Sequence, residues 1–144
     1  MLANNLCESG AVHNSSKTPL AGKRILLAED EALIALEMKH ILEGLGCDVV
    51  GPLSSIDRII DDASRGGLDG ALLDVNLRGR QIFDVLPRLQ ALGVPLIITS
   101  GYDDLTLFPA PYRAMPRIAK PFAEAELRRI CEKVFANPPI TAAS

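Results

Sequence analysis

Short apolar runs alternate with longer segments of helical period along most of this chain. "KRILLA" is an apolar run of strand length. It is followed by "EALIALEMKHILEGLG", in which Ile34, Met38, Ile41 and Leu45 share one helical face and Gly46 marks the stop. "CDVVG" reads as a second strand, with Gly51 and Pro52 following it, and Ile56, Ile59, Ile60 and Ala63 then recur at helical spacing. "GALLD" predicts a third strand, a helix around 83–92 comes next, and "PLIIT" predicts a fourth strand. Pro87 is tolerable only in a first turn, so Asp84 is the expected cap of that helix. "RIAK" is a short fifth strand, and Leu127, Ile130, Cys131, Val134 and Phe135 define the apolar face of a last helix.

Five strand–helix alternations with near-continuous apolar strands imply a parallel sheet covered on both faces, an α/β fold. One connection is irregular. "GYDDLTLFPAPYRAMP" carries prolines at 109, 111 and 116, so at most a short helical turn is expected before the fifth strand. Residues 1–22 are polar and rich in Asn, Ser and Gly, and 137–144 hold two prolines; both read as tails around a domain of 23–136.

Composition narrows the picture. The 144 residues, 48% of them hydrophobic, suit one domain with a single folded unit. A net charge of −3 without a basic stripe argues against nucleic acid as partner. No apolar run reaches membrane-spanning length and the N-terminus lacks a secretory pattern. Cys7, Cys47 and Cys131 are odd in number and not spaced for a metal, so a reduced, cytoplasmic setting is expected. Cys131 and Cys47 read as inert structural thiols, and His40 as an exposed helix residue without a catalytic setting.

In open parallel α/β sheets, ligands bind beyond the carboxyl ends of the strands. There the sequence collects Glu29 and Asp30 after the first strand, Asp74 after the third, Ser100 and Gly101 after the fourth, and Lys120 and Pro121 after the fifth. Clustered carboxylates repel, and a hard divalent cation such as Mg²⁺ relieves that repulsion. A cation beside a reachable carboxylate also admits a phosphoryl group, which the carboxylate can accept as an aspartyl phosphate. Lys120 can then pair with one phosphoryl oxygen and Ser100 can donate to another. Singly, each residue has a plainer reading: Asp30 as a helix cap, Asp74 as a turn residue, Ser100 as loop, Lys120 as a solvated charge. Their joint placement favours the phosphoacceptor.

With "LLAEDE", "LLDVNL", "IITSG" and "AKPF" in order over roughly residues 22–136, the chain resembles a receiver domain of a two-component response regulator. The resemblance implies a five-stranded flavodoxin-like (βα)5 fold of strand order 2-1-3-4-5 with a reduced fourth helix. It implies that Asp74 is the phosphoacceptor. Asp30 is then a direct Mg²⁺ ligand, with Glu29 its acidic companion in place of the commoner aspartate. Asn76 supplies a backbone carbonyl to the metal, Ser100 and Lys120 bind the phosphoryl group, and the Lys120–Pro121 bond is cis. The donor is a histidine kinase or a histidine phosphotransfer protein, since neither histidine of the chain is suited to the task. The output is contact with another protein, homodimerisation included, and the length suggests a stand-alone receiver that catalyses only its own phosphorylation and dephosphorylation.

Two departures matter. Many receivers carry an aromatic switch residue three before the lysine, where this chain has Arg117, and "SGYDD" places Tyr102 after the hydroxyl. Tyr102 is therefore the candidate reporter of phosphorylation. Arg128 and Arg129 read as a solvated helix face. The competing readings are a receiver-like adaptor that is never phosphorylated and an aspartate-dependent phosphatase. The latter needs a second acid two residues after the nucleophile, where Asn76 stands.

Overall fold

The structure, a computed structural model, describes residues 20–101 and 108–136. In chain order the elements are β1 (Arg24–Ala28), α1 (Ala32–Gly44), β2 (Asp48–Leu53), α2 (Ile56–Ser64), β3 (Gly70–Asp74), β4 (Asn76–Leu77), β5 (Arg80–Gln81), α3 (Leu86–Ala91), β6 (Leu96–Ser100), β7 (Arg117–Ala119) and α4 (Glu124–Ala136). Short 3-10 turns cover Ile82–Asp84 and Ala110–Tyr112. Five strands form one parallel sheet in the order β2-β1-β3-β6-β7, the expected doubly wound arrangement.

Alternate strand residues feed two cores, which is why the strands read as unbroken apolar runs. Ile25, Leu27, Leu72, Ile97 and Ile118 pack with Met38, Ile41 and Leu42 of α1 and Leu127, Cys131 and Phe135 of α4. Leu26, Ala28, Ala71, Leu73 and Ile98 pack on the other face with Ile56, Ile59 and Ala63 of α2 and Leu86 and Leu89 of α3. Leu20, inside the expected N-terminal tail, is fully buried in the first of these cores.

Two local expectations are corrected. The second strand does not stop before Gly51 and Pro52; β2 continues through both to Leu53. As the sheet edge it tolerates a residue without an N–H, and its register with β1 shifts between Leu26 and Ala28, where Gly51 adopts a φ of 116°. Asp84 does not cap α3. A 3-10 turn leads straight into that helix, Val85 occupies the cap position in helical conformation with no side-chain cap bond, and Pro87 sits in the first turn. Helical backbone entering from the 3-10 turn leaves no extended residue for a side-chain cap to close.

The proline-rich connection forms a short 3-10 turn at Ala110–Tyr112 among its described residues. No helix is long and apolar enough to cross a membrane among the described residues.

Candidate functional site

Every candidate group except Tyr102, which lies outside the described residues, can be placed, and they meet at the carboxyl edge of the sheet. Glu29 follows β1 and is buried, with its backbone N–H bonded to the Leu53 carbonyl at 2.9 Å. Asp74 ends β3, itself buried along its whole length because it is the central strand. Oxygens of Glu29, Asp30 and Asp74 lie within 4.8 Å of one another. Lys120 follows β7 on a cis peptide bond to Pro121, and its N–H donates to the Ser100 carbonyl at 2.8 Å. A groove of about 330 Å³ opens there, lined by Asp30, Glu31, Asp74, Asn76, Gly79, Gly101 and Lys120.

Lys120 dominates the electrostatics. Its Nζ donates to Asp74 Oδ2 at 2.9 Å and to Glu29 Oε1 at 3.0 Å, with Glu31 Oε1 at 3.9 Å. Burial works against its charge, but hydrogen bonds and attraction from Asp74, then Glu29, outweigh it and raise the Lys120 pKa above its ordinary value. Glu29 moves the other way in charge: burial foremost, with repulsion from Asp74, raises its pKa against the lowering effects of the Glu31 N–H and Lys120. Its second oxygen, Oε2, accepts that Glu31 N–H at 3.1 Å, so both carboxylate oxygens are held by protein donors.

Asp30 is the exposed acid of the trio and does not cap α1, whose cap position is Glu31 without a side-chain cap bond. Asp30 Oδ2 instead accepts the backbone N–H of Arg78 at 2.8 Å. Asp74 Oδ1 accepts from the Asn76 N–H at 3.2 Å. The Oγ of Ser100 is buried with no hydrogen-bond partner among the described residues, and Thr99 Oγ1 shares that condition.

Sequence reasoning passed over a hairpin. β4 and β5 pair antiparallel, Asn76 with Gln81 and Leu77 with Arg80, leaving Arg78 and Gly79 as a two-residue turn. Their φ angles of 51° and 81° are both left-handed, as the primed hairpin turn requires. Gly79 adopts that conformation freely; Arg78 does so at a cost, and its N–H is the one that reaches Asp30. The signal was the Arg-Gly pair between the two-residue flanks Asn76–Leu77 and Arg80–Gln81, too brief to show strand period.

An open parallel sheet with an acidic cleft and a lysine at its carboxyl edge defines a doubly wound ligand-binding domain. The chain belongs to the response regulator receiver domain family, which it matches over residues 25–132. The phyllosphere-induced regulator PhyR of Methylorubrum extorquens is 31% identical over 114 residues, covering 77% of this chain and 43% of PhyR. The chain spans about half the length of the curated relatives it matches. In solved structures, SdrG from Sphingomonas melonis Fr1 is 32% identical with a TM-score of 0.68, over 76% of this chain and 92% of SdrG. The receiver domain of the Pseudomonas aeruginosa PAO1 sensor histidine kinase PA1611 is 26% identical with a TM-score of 0.70, over 81% of this chain and all (100%) of that one. That structure holds a magnesium ion in its active site cleft. The chain is thus a response regulator receiver, a signalling module of two-component systems.

Proposed function

We propose that Asp74 accepts a phosphoryl group from the phosphohistidine of a histidine kinase or histidine phosphotransfer protein, and that this switches protein contacts. The observation that carries the reading is the Lys120 ammonium held on both Asp74 and Glu29 beside a reachable groove. A carboxylate oxygen of Asp74 forms the new P–O bond as the P–N bond to the donor imidazole breaks, and that imidazole leaves with the electron pair and takes up a proton. Lys120 exchanges part of its contact with Asp74 for a phosphoryl oxygen, and Ser100 Oγ, lacking a described partner, donates to another.

The donor set fits Mg²⁺: hard oxygen ligands only, three carboxylates with oxygens within 4.8 Å, and a groove open to water and phosphate. Asp30, Asp74 and the Asn76 carbonyl would hold it. Glu29, both of whose oxygens are already engaged, would reach it through water while anchoring Lys120. The ion supplies positive charge against the phosphoryl oxygens. The magnesium in the PA1611 receiver cleft supports the assignment.

We assign the protein to the cytoplasm, where such kinases present phosphohistidine, and Tyr102 to reporting the modification. The test is intact-mass analysis after treatment with acetyl phosphate and Mg²⁺. One added phosphoryl group is expected, and none after chelation or in Asp74→Asn. An unmodified wild-type chain would support the adaptor reading instead.

A further inference from the structure

Ser100 Oγ is one of two buried hydroxyls without a hydrogen-bond partner among the described residues; the other is Thr99 Oγ1, on the residue before it. Thr99 is fully buried. A buried hydroxyl with no partner costs stability, and a valine of nearly the same shape would avoid that cost. Packing alone therefore does not account for a threonine here.

Its place in the sheet does. Leu27, Leu72, Ile97 and Ile118 pack on the face covered by α1 and α4. Side chains alternate along a strand, so the same face carries, two residues further on, Glu29, Asp74, Thr99 and Lys120. The register sets Asp74 level with Thr99, and Thr99 level with Ile118. β6 lies between β3 and β7. The Lys120 side chain, rooted just past β7, thus crosses the end of β6 to bring Nζ to Asp74 Oδ2 at 2.9 Å and to Glu29 Oε1 at 3.0 Å. Thr99 is the β6 residue on that face at the crossing.

An ammonium has three N–H donors. Two of those of Lys120 are taken by Asp74 and Glu29, and the third carboxylate near it, Glu31 Oε1, is 3.9 Å away, beyond hydrogen-bond length. One donor and one acceptor at the same edge of the sheet are thus both unused at rest among the described residues.

We infer that Thr99 is a positioning residue of the phosphoacceptor site. Its hydroxyl accepts the third N–H of Lys120 once a phosphoryl group on Asp74 draws the ammonium off the carboxylate, and so holds that cation on the phosphoryl oxygen. A bond missing at rest and made only with the phosphoryl group favours the modified state by its full strength. The inference rests on the phosphoacceptor reading of Asp74.

The test compares the full chain with Thr99→Val, which removes the hydroxyl, and Thr99→Ser, which keeps it. Thermal unfolding of the unphosphorylated chains in EDTA should show Thr99→Val melting above the wild type, because the orphan hydroxyl is gone. Phosphorylation by subsaturating acetyl phosphate with Mg²⁺, followed by intact mass, should be about tenfold slower in Thr99→Val and close to the wild-type rate in Thr99→Ser. A variant that is more stable yet slower is not what a merely structural threonine gives. Equal rates in wild type and Thr99→Val, a Thr99→Ser rate as slow as that of Thr99→Val, or a Thr99→Val chain less stable than the wild type overturns the inference and leaves the phosphoacceptor reading standing. A wild-type chain that takes no phosphoryl group overturns both.

Discussion

Lys120 Nζ sits 2.9 Å from Oδ2 of Asp74, although 46 residues separate the two in sequence. The same ammonium holds Glu29 at 3.0 Å, so one cation bridges a carboxylate at the end of the central strand and a fully buried one. Its cation lies within reach of an anion that arrives on Asp74.

Removing that cation should be costly. Lys120→Met leaves Glu29 and Asp74 buried as neighbouring like charges, with an expected loss of about 3 kcal/mol at neutral pH. Urea unfolding of the metal-free protein measures it, and added Mg²⁺ should recover more stability in the variant than in the wild type. Equal Mg²⁺ effects in both would count against a shared site.

Glu29 makes the pH dependence specific. Its folded pKa is raised, chiefly by burial, above the ordinary 4.5, so protonation favours the folded state. The stability linked to that proton is fully present below 4.5 and is lost as pH rises through the raised value. Glu29→Gln mimics the protonated acid. The melting temperature of the variant minus that of the wild type, taken in EDTA, should therefore become more positive as pH climbs from about 4.5 and then level off. A difference that shrinks with rising pH would mean that pairing with Lys120 outweighs burial.

The hairpin turn offers a third check. Arg78→Val puts a β-branched residue at a φ of 51° and should cost about 1–2 kcal/mol in stability. It should also weaken Mg²⁺ binding, followed by calorimetry, by releasing the N–H on Asp30. Arg78→Gly, at ease in that conformation, should keep the Mg²⁺ affinity. If both variants bind Mg²⁺ alike, the turn does not position Asp30.

The residues show why the sequence reveals some of this and not the rest. Apolar runs ending in Asp74, Ser100 and the Lys120 segment disclose the sheet and its functional edge, because burial on both faces leaves a strong, local pattern. Glu29 reads as a companion acid of the metal; that it grips Lys120 with one oxygen depends on a contact across 91 residues that no local pattern encodes. The β4–β5 hairpin is too short for periodicity. The fate of Asp84 turned on backbone conformation: both it and Val85 are plausible next to Pro87, and only the preceding 3-10 turn decides between them. Arg117 stands where the resemblance leads one to expect an aromatic residue; that its guanidinium lies over the Phe108 ring depends on a tertiary contact that the sequence pattern does not show.

The site of modification decides the central claim. After treatment with acetyl phosphate and Mg²⁺, borohydride reduces an aspartyl phosphate to homoserine, which peptide mass spectrometry can locate. Homoserine at position 74 alone is the predicted result. Homoserine at another aspartate, the corresponding reduced alcohol at a glutamate, or a modified chain with Asp74 intact would contradict it.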